Sequence, residues 1–100
     1  MDVNYLQKIA NSIRAEVPRA DLPQESSRDL FRIYAVLLLA KGLDVDAEDV
    51  HNAWVSWICT VDPMHEAIVP FENLPPEVAA YDKPYVEAIH VVARRGAKND

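Results

Sequence analysis

The residue pattern predicts a small, mainly α, single-domain bundle of about four helices, with a proline-rich irregular loop over residues 60–76 packed on the third helix. Three observations carry that expectation. Apolar residues recur at helical spacing in four stretches, each entered through a residue that can cap a helix. The run Tyr34–Ala40 is apolar almost all round, as expected of a central helix covered on most sides. Four of the seven prolines fall between Pro63 and Pro76, where they exclude a long strand or helix. At 100 residues, half of them hydrophobic, the chain holds enough for one core in one domain, 1–100. A chain of this size buries only about two thirds of its unfolded surface, so a homodimer is in keeping with it.

The first helix is expected over Val3–Val17, capped by Asp2 or Asn4 and stopped by Pro18. Tyr5, Leu6, Ile9 and Ile13 share one face. Arg19–Ser27 is a polar connector. The second helix starts at Ser26 or Ser27, either of which can accept an amide of the first turn, and ends at Lys41 with Gly42 as a left-handed C′ residue. These elements form helical support over 3–42. Asp46 caps the third helix, Glu48 and Asp49 favour its dipole, and Val50, Trp54, Trp57, Ile58 and Val61 give its apolar spacing. Pro63 ends it. A short helical turn is expected over Pro76–Tyr81, then a last helix capped by Asp82, opened by Lys83 and Pro84 and stopped by Gly96, leaving a frayed basic tail over 94–100.

Charge divides the chain unevenly. The formal net charge is −6, and residues 42–93 hold ten acidic groups against one base, Lys83. Such a surface repels phosphate backbones, so nucleic acid is not the expected partner. Cys59 is alone, which rules out an intramolecular disulfide and points to a reducing compartment. The N-terminal residues lack the order of a signal peptide, and the longest apolar run is seven residues, far below the ~20 of a membrane span. The expectation is a cytoplasmic protein without a membrane segment.

Little in the chain reads as catalytic machinery. His51, His65 and His90 lie on separate elements without the i, i+4 pairing of a helical metal site, so no metal is expected. Cys59 follows Trp57 and Ile58 on a mostly apolar helix and is expected to be a buried small hydrophobe. Asp44, Asp46, Glu48 and Asp49 lack the glycine and terminal glutamate of a calcium loop. With two glycines there is no phosphate-cradling loop. The reading is a non-catalytic protein without cofactor. Trp54 and Trp57, i and i+3, fill the core or place an indole beside the 60–76 loop, where it can stack on a planar ligand.

The order Val50-His51-x-x-Trp54, His65-x-x-Ile68-Val69-Pro70-Phe71-x-x-Leu74-Pro75, then Tyr81-Asp82 and an amphipathic helix resembles the RyR domain, the module repeated in ryanodine receptors and found singly in prokaryotic proteins. The likeness spans residues 46–93. The whole chain is also similar to small proteins of actinobacteria and their phages that have no assigned activity. What the RyR resemblance implies is a nucleotide-type binding or sensing role in which a tryptophan, here Trp54, stacks the base. The region Val55–Met64 is short beside the family pattern and carries no arginine, so a polyphosphate would rely on helix N-termini or a metal ion.

Two functions follow as expectations. One is an acidic protein-interaction module that offers Asp44, Asp46, Glu48 and Asp49 to a basic partner, for example a phage-related modulator of a host protein in the host cytoplasm. The other is a small-molecule binding module whose groove uses His51, Trp54, Trp57, His65 and Phe71, with Lys83 as anion contact.

Overall fold

Asn4 begins the first helix by accepting the Gln7 amide on its side-chain oxygen at 2.8 Å, and α1 then runs Tyr5–Glu16. The computed structural model describes residues 4–23 and 26–98, so Asp2, the other cap expected here, lies outside the described residues. Four further helices follow: α2 over Arg28–Lys41, α3 over Ala47–Val61, the single turn α4 over Pro76–Ala79, and α5 over Lys83–Lys98. Short 3₁₀ turns occupy Arg19–Asp21, Gly42–Asp44, Phe71–Asn73 and Ala80–Asp82, and the described residues contain no strand. The chain is a small all-α bundle of four long helices.

Helix α2 is the centre, packing on α1, α3 and α5, while α5 also closes against α1 and α3. The core joins Ala10 and Ile13 of α1, Leu30, Phe31, Tyr34 and Ala35 of α2, Val50, Trp57 and Ile58 of α3, and Ala88 and Ile89 of α5. Phe31, Tyr34 and Tyr85 form an aromatic knot with ring centroids 5.6 to 6.1 Å apart. Long-range contacts pin α5. Arg95 pairs with Glu16 at 2.7 Å, and His90 donates its Nε2 proton to the Val45 carbonyl at 2.7 Å.

Several expectations need correction. Helix α2, expected to be covered on most sides, is open along one of them: Val36 and Leu39 are 53% and 54% exposed, because three neighbouring helices leave one side of a fourth bare. Ser27 holds the N-cap position of α2 but its side chain caps nothing; it is buried instead. Gly42 has φ +55° as expected, yet its ψ of −123° turns the chain into a 3₁₀ turn rather than a left-handed cap. Helix α5 passes through Gly96 to Lys98, so Arg94 and Arg95 belong to the helix; a glycine costs only about 1 kcal/mol in a helix. Residues 99 and 100 of the expected frayed tail lie outside the described residues. Cys59 is exposed, since the inward positions of its turn are taken by Trp57 and Ile58.

Candidate functional site

The site begins with a well-fixed helix. Asp46 accepts the Asp49 amide at 2.9 Å, the Asp49 carboxylate accepts the Asp46 amide at 3.1 Å, and this reciprocal box sets the start of α3. Asp49 also pairs with Lys41 at 2.8 Å, and the Lys41 ammonium holds the Asp49 carboxyl below its ordinary pKa. At the other end, Asp62 stands before Pro63 in a non-helical conformation and ends α3 at Val61.

The loop then folds back along α3. His51, only 2% exposed, donates its Nε2 proton to the Val69 carbonyl at 2.7 Å, eighteen residues further on. A carbonyl can only accept, so Nε2 carries the proton. Phe71 lies against the His51 ring with centroids 6.0 Å apart, and Trp54 stacks over it from the other turn at the same spacing. His65 uses Nδ1 to accept the Ala67 amide at 3.0 Å and meets Trp54 edge to face at 5.0 Å. The prolines stiffen the backbone and these contacts set its distance from the helix.

Between loop, α3 and the start of α5 lies an open cleft of about 790 Å³. His51, Trp54, Trp57 and His65 line it, so four of the six expected ligand residues come together. The tryptophans divide the two roles foreseen for them: Trp57 is 5% exposed and belongs to the core, while Trp54 is half-buried at the wall. Phe71 stays behind His51 and does not line the cleft, and Lys83 is an exposed residue outside it. Lys83 follows the helical turn that carries Asp82, and the next residue along a helix points about a quarter turn away. Of the acidic group, Asp44, Asp46 and Glu48 are exposed and Asp49 is half-buried, with Asp46 and Asp49 joined in the capping box.

Asp82 is the main surprise. It was expected to cap α5, but a cap needs an extended backbone, and Ala79 through Lys83 are helical, so the chain runs from α4 into α5 without a break. The Asp82 carboxyl therefore turns inward to the cleft. Its Oδ2 is buried and has no hydrogen-bond partner among the described residues. Burial pushes this carboxyl up to about 6, opposed by the His51 ring nearby. Tyr85, on the same side of α5, donates its hydroxyl proton to the Asp21 carbonyl; burial, aided by Asp21 and Asp82, raises that hydroxyl to about 12. Tyr34 closes the floor, its hydroxyl raised well above the ordinary value by burial and by Tyr85 and Asp82. Sequence reasoning missed Tyr34, Asp82, Tyr85 and the exposed Tyr81 as cleft residues. The available signal was the grouping of Tyr81, Asp82 and Tyr85 within one helical turn beside an apolar stripe.

Asp21, Glu66 and Asp82 place three carboxyl groups along the cleft, and no described lysine or arginine lines it. The arrangement is a partly aromatic, acidic recess able to hold a flat, uncharged or positively charged group. Among the described residues, no three His, Cys, Asp or Glu side chains gather as metal ligands. No described helix is long and apolar enough to cross a membrane. Comparison with known proteins finds no match among curated proteins or solved structures. Residues 4–94 match the family described as Domain of unknown function (DUF7701).

Proposed function

The chain belongs to the DUF7701 family, and from that premise we propose that it is a binding module whose cleft beside α3 takes a small planar ligand against Trp54. The observation that carries the reading is the fastening of the loop. His51 to Val69, His65 to Ala67 and the packing of Phe71 hold it off α3 at a fixed distance, leaving one tryptophan half-exposed in the gap. Binding sites are commonly preformed recesses with aromatic walls and a few polar groups, and this recess has that make-up. His51, His65, Val69 and Phe71 of the RyR-like pattern are among the residues that fasten the loop. The acidic lining argues for a base or nucleoside over a polyphosphate.

Tryptophan fluorescence tests this. Titration with adenine, adenosine and nicotinamide is expected to change the emission, with ADP and ATP weaker than adenosine because no described lysine or arginine lines the recess. Trp54→Ala is expected to abolish the response. ATP binding tighter than adenosine would reverse the assignment of ligand class, and no response to any planar compound would remove the reading.

A second reading, that of an acidic protein-contact module, has its own observation. Val36, Leu39 and Leu43 are each more than half exposed, and Leu43 is followed directly by the exposed Asp44. A basic partner docking there would bind less tightly as salt is added and would be lost with Leu39→Glu. Binding unchanged by both would dismiss that surface.

A further inference from the structure

We propose that the cleft selects an organic cation, a flat amidinium- or ammonium-bearing molecule, and that Asp82 is the counter-charge it meets. The inference rests on the planar-ligand reading of the cleft and adds the charge of the ligand.

A buried carboxyl oxygen without a partner is strongly disfavoured when charged, and native proteins rarely leave such a group unpaired. Asp82 is held there by backbone geometry, since the helical path from Pro76 through Lys83 leaves its side chain no capping role. The groups around it do not neutralise it. Tyr34 from α2 and Tyr85 from α5 face it as weak acids, and Tyr85 gives its proton to the Asp21 carbonyl. His51 from α3 faces it too, with its Nε2 proton committed to Val69. Along the same cleft, Glu66 and the Asp21 side chain add negative charge, while His65 is turned to the Ala67 amide.

The walls are aromatic as well as acidic. Trp54 and Tyr81 line the same recess, and cations are attracted to the faces of indole and phenol rings. A carboxylate at the base and aromatic rings at the side are what a planar cation needs. An anion meets the negative charge of these carboxyl groups there, and a neutral molecule brings Asp82 no counter-charge.

Benzamidine and benzamide separate the possibilities, because the two have nearly the same shape and differ in charge. Binding to the full chain is followed by tryptophan emission near pH 8. Benzamidine is expected to bind about tenfold or more tightly than benzamide, the scale of one well-placed charge contact. The preference is expected to shrink near pH 5, where Asp82 takes up its proton, and to vanish in Asp82→Asn, which keeps the shape of the residue. Equal binding of the two probes would overturn the cation inference while leaving the planar-ligand reading in place. A preference that survives Asp82→Asn would overturn the role of Asp82. Failure of both probes to bind would overturn the inference together with the reading beneath it.

Discussion

At the scale of single residues, Asp82 ties the stability of the fold to pH. Its carboxyl is raised from 3.8 to about 6 in the folded chain, chiefly by burial. The folded state therefore holds the proton more tightly than the unfolded state. The cost of ionising Asp82 is absent below 3.8, grows as pH rises to about 6, and is complete above that. Asp82→Asn is thus expected to stabilise the fold near pH 8 by about 1 kcal/mol, the full linkage value being reduced by partial solvent contact. Near pH 4 the gain disappears. Chemical denaturation of both proteins at the two pH values checks this, and a variant that is less stable at both would give Asp82 a purely structural role. His51 behaves in the opposite way. Its ring is buried and donates to Val69, so His51→Ala is expected to cost about 2 kcal/mol or more and to loosen the loop, read as faster proteolysis after Val61.

At the scale of elements, α3 and the turn before it are set by two local devices. The Asp46–Asp49 box fixes the start, and Asp46→Ala is expected to cost about 1 kcal/mol in thermal or chemical denaturation. Asp49 has its pKa lowered by the Lys41 hydrogen bond, so its contribution is present above the ordinary carboxylate range and is lost as pH falls below it. Gly42 carries the other device. At φ +55° and ψ −123° a side chain is strained, although a Cβ would meet nothing within 4 Å. Gly42→Ala is therefore expected to cost about 1–2 kcal/mol through backbone conformation alone. What was legible in the sequence belongs largely to this scale. Asp46, Pro63 and the spacing of Val50, Trp57 and Ile58 give α3 nearly to the residue, because caps and proline act on immediate neighbours. Asp82 shows where such reasoning stops. An aspartate before Lys-Pro has the local signature of a cap, but α4 had already set the helical path through it, and a local pattern does not report how two elements are joined.

At the scale of the whole molecule, four long helices, three of them packed on α2, cover Phe31, Tyr34 and Ile89 almost completely and leave Val36 and Leu39 to solvent. The sequence shows Tyr34–Ala40 of α2 as apolar almost all round, but how many neighbours cover it is set by the whole fold and not by local spacing. Domains of this size are stable by about 5–15 kcal/mol, so Phe31→Ala, at about 3–5 kcal/mol, is expected to remove much of that margin and lower the melting temperature sharply. The site follows the same division. Trp54, His51 and His65 were legible as a group because they share α3 and its loop, whereas Tyr34, Asp21 and Tyr85 reach the cleft from three other parts of the chain. The proposed ligand site built on Trp54 is tested most directly by a two-dimensional proton–nitrogen NMR titration of the full chain with benzamidine near pH 8. The Trp54 indole N–H and the Tyr81 and Asp82 amides are expected to shift together and saturate. Shifts confined to the outer face of α2, or none at all, would contradict it.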